Sequence, residues 1–128
     1  DNYPLHALGV GHPQNVLACT QMGFALFDSA MPTRDARHGR LYTFTSSDNE
    51  PNLVLHGDWL KYYYVNDEKY IKDGKPVSEH CDCPTCKRFS RGYLRHLFKQ
   101  NDSLYLRLAT VHNLRFMTQL MERIRALT

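Results

Sequence analysis

Apolar and polar positions follow three different rhythms along the 128 residues. Near the start, "PLHALGVG" (residues 4–11) reads as a short buried strand that ends in glycines. "HPQNVLACTQMG" (12–23) reads as a helix, with Pro13 near its first turn and Gly23 as its stop. "FALFDSA" (24–30) has the continuous apolar run of a second strand buried on both faces. A strand, a helix of about ten residues and a second strand predict a parallel βαβ unit.

From about residue 41 to 77 the rhythm shortens. "LYTFTS", "NLVLHG" and "LKYYYV" are β-prone runs parted by polar turns such as "SSDNEP" and "NDE", which predicts antiparallel strands appended to the α/β part. The aromatic run Tyr62, Tyr63 and Tyr64 could stack bases, but packing within a sheet is the better reading. The last third is helical. One helix is predicted over residues 87–99, and Asn101 or Asp102 is placed as the N-cap of a longer one. In that helix Leu104, Leu108, Val111, Leu114, Met117, Met121 and Ile124 recur every three or four positions, which predicts a single core-facing stripe.

Charge changes the picture more by its distribution than by its total of +3. Residues 1–43 balance, residues 44–86 carry eight acidic against four basic side chains, and residues 87–128 carry nine basic against two acidic. A basic terminal third is the footprint of a protein that meets phosphates. The length suits one domain, and the apolar share of 42% is ordinary for a globular chain. No apolar run approaches the roughly 20 residues of a membrane helix. The opening "DNYPLHALGVG" lacks an initiator Met and enters a strand at once, which reads as a fragment of a longer chain without a signal peptide.

The chemistry concentrates in "CDCPTCKRFSRGYLRHL" (81–97). Of the four cysteines, Cys81, Cys83 and Cys86 are clustered, and any disulfide within the cluster strands a thiol. C-x-C-x2-C is better read as three thiolates converging on one ion, with zinc the usual occupant. The clustered free thiols place the protein in a reducing, cytoplasmic setting. A fourth ligand is needed, and His80, His96 and His112 are all candidates; spacing does not separate His96 from His112. Cys19 stands apart and reads as a buried core thiol.

Two segments carry a resemblance. "FDSAMPTRDARHGRLYTF" resembles the nucleophile segment of the tRNA-guanine transglycosylases. "CDCPTCKRFSRGYLRHL" followed by "VHNLRFMTQLMERIR" is similar to their zinc motif and closing helices. The likeness spans nearly the whole chain, more loosely over residues 45–72. It implies the α/β fold of a (β/α)8 TIM barrel with an inserted zinc-binding subdomain of short antiparallel strands and helices. The present chain would supply the final βα units (1–43), the zinc subdomain (44–100) and the closing helix (101–128).

The resemblance also implies roles. Asp28 would be the nucleophile that forms a covalent ribosyl ester while guanine is exchanged for a 7-deazaguanine base. Arg34 and Arg37 would hold anticodon-loop nucleotides of tRNA, and Leu8 and Gly9 would face the substrate base. His112, which follows Cys86 after twenty-five intervening residues and precedes Asn113, is selected as the last ligand of one structural zinc. A dimer is implied, together with an upstream barrel portion or partner subunit that carries the general acid/base. The alternative is a non-catalytic zinc and tRNA-binding subunit. Asp35 and Arg40 receive no role beyond a solvated loop.

Overall fold

The computed structural model describes residues 3–45, 59–79 and 81–126. Strand β1 (Leu5–Leu8), helix α1 (Pro13–Gln21) and strand β2 (Phe24–Asp28) form the expected right-order unit, with β1 and β2 paired in parallel. Pro13 begins α1 after a His12 N-cap, and Gly23 follows the helix at φ 104°, a left-handed value suited to glycine. The register sets Leu8 directly opposite Asp28, so both strands deliver their last residues to one end.

Helix α2 (Met31–Arg37) leads into β3 (Arg40–Phe44), which pairs antiparallel with β4 (Leu60–Tyr64). The expected strand "NLVLHG" lies outside the described residues. A 3-10 turn (Glu68–Tyr70) precedes α3 (Pro84–Arg88), α4 (Arg91–Lys99) and the long α5 (Ser103–Ala126). The fold is therefore α/β, with two small sheets joined by helices.

Successive residues of a strand point to opposite faces, and β3 uses this to join two cores. Leu41 enters one cluster with Ala36, Tyr63, Val65, Leu94 and Leu97. Tyr42, one residue on, enters the other with Val16, Trp59, Phe116, Leu120 and Ile124. Helix α5 serves both, placing Tyr105, Leu108 and Ala109 in the first and its C-terminal half in the second.

Several expectations are corrected. The two parallel strands are not buried: Leu5, Leu8 and Leu26 are 44%, 75% and 50% exposed. A parallel sheet is apolar because it is covered on both faces, and among the described residues α1 packs against β2 without covering the rest. The helix predicted over 87–99 is two helices. Phe89 is extended (φ −128°, ψ 147°), and the Ser90 hydroxyl caps α4 by accepting from the Tyr93 amide at 3.1 Å. Asp102 does cap α5, its carboxylate accepting from the Leu104 amide at 2.9 Å.

The apolar stripe of α5 is also not a uniform core. Leu108 and Ile124 are buried, whereas Leu114 is 47% exposed, and the buried face includes Tyr105, His112, Asn113, Phe116 and Leu120. The polar pair His112–Asn113 sits where periodicity alone predicts only apolar residues. Cys19 is half-buried rather than part of the core. Tyr63 packs inside as expected, while its neighbour Tyr64 is exposed.

Candidate metal centre and strand-end carboxylate

The thiol loop is shaped by its own sequence. Cys83 is the N-cap of α3, and its sulfur accepts the Cys86 amide at 3.4 Å, while the Cys81 sulfur accepts the Cys83 amide at 3.5 Å. Pro84 at the first helical position fixes the turn that brings Cys86 back toward Cys83. The buried Thr85 hydroxyl donates to the Leu108 carbonyl at 2.7 Å and docks this short helix on α5. Asp82, between two of the cysteines, receives Arg115 in a two-point pair at 2.6 and 3.0 Å. That pair holds the Asp82 carboxyl below the usual range.

His112 completes the group. The four ligand atoms lie within 4.8 Å of one another, and His112 Nδ1 stands 3.8, 3.6 and 3.3 Å from the sulfurs of Cys81, Cys83 and Cys86. A tetrahedral ion with Zn–S of about 2.3 Å and Zn–N of about 2.0 Å requires sulfur–nitrogen separations of about 3.5 Å. The observed three bracket that value. The other ring nitrogen, Nε2, donates to the Tyr42 carbonyl at 2.7 Å, which fixes the tautomer and leaves Nδ1 as the ligand atom.

Electrostatics point the same way. Three thiolates cannot coexist in a dry pocket without a cation. The hydrogen bonds from Cys81 and Cys86 accordingly hold Cys83 far below the ordinary thiol range, and Cys86 is raised by Cys81 and Cys83. Burial opposes a charged His112, yet the contacts with Cys81 and Cys83 raise it to about 9. A metal ion that displaces this proton supplies the positive charge the cluster demands. With four protein ligands the shell is closed, which is the pattern of a structural zinc site rather than a catalytic one. His96 is exposed on α4 and outside the group, and His80 lies outside the described residues.

The second site is at the end of the parallel strands. Asp28 closes β2 with its carboxylate exposed. Gly9 donates its amide to Asp28 Oδ1 at 3.0 Å, and His6 Nε2 donates to the same oxygen at 3.1 Å. These bonds, led by the Gly9 amide, lower the Asp28 pKa, so the group is a carboxylate at neutral pH. Gly9 reaches Asp28 with φ 73°, a conformation that side-chain-bearing residues rarely adopt. Gly11 is needed for another reason: a Cβ there would stand 2.3 Å from the Ser29 Cβ. Leu8 and Gly9 are both exposed beside the carboxylate, and Arg34 and Arg37 project into solvent from α2. Asp28 borders an open cleft of about 750 Å³ that is also lined by Leu114, Met117 and Met121 of α5.

Sequence reasoning missed His6, because no local spacing shows a partner across the strand pair. It also misjudged Asp35 and Arg40. Asp35 is largely buried and accepts the Tyr42 hydroxyl, and Arg40 stacks over the Tyr62 ring at 4.0 Å while approaching Asp35 at 3.9 Å. They are packing residues of the α2–β3 connection, not a solvated loop.

A sequence model of the queuine tRNA-ribosyltransferase family matches residues 1–127. The chain belongs to this family. It is 41% identical over 127 residues to the queuine tRNA-ribosyltransferase of Clostridium tetani, covering 98% of this chain and 29% of that protein. The protein of the same name from Thermoanaerobacter sp. is 42% identical over 125 residues, and that from Dictyoglomus turgidum 39% over 122. The chain thus spans under a third of the length of these relatives. Within the family match lie all four metal ligands and Asp28. No helix among the described residues is long and apolar enough to cross a membrane.

Proposed function

We propose that this chain is the nucleophile-bearing and zinc-bearing part of a tRNA-guanine transglycosylase, acting in the cytoplasm with the rest of a (β/α)8 barrel. The observation that carries this reading is Asp28: an ionised carboxylate at the C-terminal end of a parallel strand, where barrels place their chemistry. Both of its hydrogen bonds fall on Oδ1, and Oδ2 accepts none from another described residue.

In this reading Oδ2 attacks ribose C1′ of the target nucleotide as the bond to guanine breaks, and guanine leaves with the bonding electrons and takes a proton. The incoming 7-deazaguanine then attacks C1′, releasing the Asp28 carboxylate. The proton traffic belongs to a general acid/base supplied by the rest of the barrel. Leu8 and Gly9 face the base, and Arg34 and Arg37 pair with the splayed anticodon-loop nucleotides, for which their exposure suits them. The division into barrel end (1–43), zinc subdomain (44–100) and closing helix (101–128) follows the same scheme.

Zinc, held by Cys81, Cys83, Cys86 and His112, would fix the subdomain and take no part in the reaction. The subdomain also offers a dimer contact: Phe89 and Tyr93 stack at 5.4 Å, and Tyr93 stacks on His96 at 6.5 Å, with Tyr93 40% exposed. An exposed aromatic ridge of this kind is typical of an interface.

The test is a denaturing gel of the chain, with the rest of the barrel supplied, incubated with cognate tRNA and a guanine analogue that blocks the second half-reaction. A shifted band that Asp28→Asn abolishes supports the catalytic reading. No band under any of these conditions makes the chain a tRNA-positioning zinc subunit.

A further inference from the structure

Asn113 follows the metal ligand His112 and is fully buried. Its Oδ1 accepts the Tyr42 amide at 3.1 Å, and its Nδ2 donates to the carbonyls of Pro32 at 3.0 Å and Arg40 at 3.1 Å. His112 Nε2 donates to the carbonyl of the same Tyr42 at 2.7 Å. One residue of β3 is therefore gripped at both its amide and its carbonyl by two adjacent side chains of α5. The first of these faces the thiols, and the second also holds the opening turn of α2.

The closing turn of α2 is held as well. About two turns before Asn113 on α5, the buried Tyr105 donates its hydroxyl to the Ala36 carbonyl at 2.6 Å. Both ends of α2 are thus tied to α5 by side chains, and between the two ties stand Thr33, Arg34 and Asp35. Asn113 and Tyr105 are both buried, so water does not readily replace either tie, although the Ala36 carbonyl also accepts the Gly39 amide at 3.1 Å.

We propose that Asn113 and Tyr105 are positioning residues that set the pose of α2, and hence of Arg34 and Arg37, relative to the thiol–His112 cluster. The inference rests on the reading of Arg34 and Arg37 as tRNA contacts. The metal ligand and the α2 clamp share the Tyr42 backbone, so the zinc loop and the RNA-facing helix behave as one body. Neither Asn113 nor Tyr105 touches the substrate.

The experiment measures zinc content and affinity for an anticodon stem-loop in Tyr105→Phe, Asn113→Asp, Arg34→Ala and the pairwise combinations, with the rest of the barrel supplied. Tyr105→Phe removes one oxygen; Asn113→Asp keeps the shape but replaces the donor that Pro32 and Arg40 receive. The expected result is one zinc per chain in Tyr105→Phe and a loss of affinity of roughly 3- to 10-fold. Adding Tyr105→Phe or Asn113→Asp to Arg34→Ala should cost much less than in the parent, because the effects run through the arginine. Losses that simply add would mark a general structural role and overturn the proposal. Unchanged affinity in Tyr105→Phe with reduced affinity in Arg34→Ala would also overturn it while leaving the RNA reading intact. No effect of Arg34→Ala, nor of Arg37→Ala beside it, would overturn the RNA reading and this inference together.

Discussion

At the scale of single residues, Asp28 carries the sharpest consequence. Its pKa is depressed first by the Gly9 amide and then by His6. In the proposed reaction the attacking form is the carboxylate, so activity is expected above this pKa and should fall as pH drops through it. Replacing His6 with Leu removes one donor to the charged form and raises the pKa. The acid limb of kcat/KM should then begin at a higher pH, with the alkaline limb unmoved. At the metal, His112→Ala or Cys86→Ser should lower bound zinc measured by atomic absorption, whereas His96→Ala should keep it in full. Thiols at C-x-C-x2-C spacing were legible because ligands near in sequence are near in space. His6 and Asn113 were not, since their partners lie 22 and 71 residues away on other elements.

Helices and strands were read well where local chemistry decides them. Pro13 and Gly23 bracket α1, Asp102 caps α5, and the βαβ order follows from the apolar runs. The failures share a cause. The break at Phe89–Ser90 was hidden by a basic, amphipathic pattern that suits one helix as well as two, although Ser90 was the available signal. Ser90→Ala should cost about 1 kcal/mol in urea unfolding followed by circular dichroism. The Arg115–Asp82 pair joins α5 to the thiol loop at the surface, where solvent screens it. Asp82→Ala should therefore cost less than about 1 kcal/mol and leave zinc bound, provided the loop is held by its ligands and by Thr85.

For the molecule as a whole, the charge reading needs narrowing. Of the nine basic side chains in the last third, Arg91 is engaged with Asp73 and Arg115 with Asp82 and Glu122. Lys87, Arg88, Lys99 and Arg107 stay exposed and are the side chains the proposed tRNA contact would draw on. Binding of an anticodon stem-loop should weaken steeply with salt, and neutralising Lys87 and Arg88 should flatten that slope. Removing the metal with a chelator should loosen both cores together, because α5 belongs to each and His112 joins it to β3.

The ties from α5 to the α2–β3 segment described above end on main-chain atoms: the Pro32, Ala36, Arg40 and Tyr42 carbonyls and the Tyr42 amide. A grip on the backbone is indifferent to which side chains that backbone displays outward. Residues 33, 34 and 37 can therefore drift in the course of evolution, or be randomised in a library, while the frame that holds them stays the same. New nucleic-acid preferences could arise on this helix by substitution alone, without rebuilding what lies beneath it.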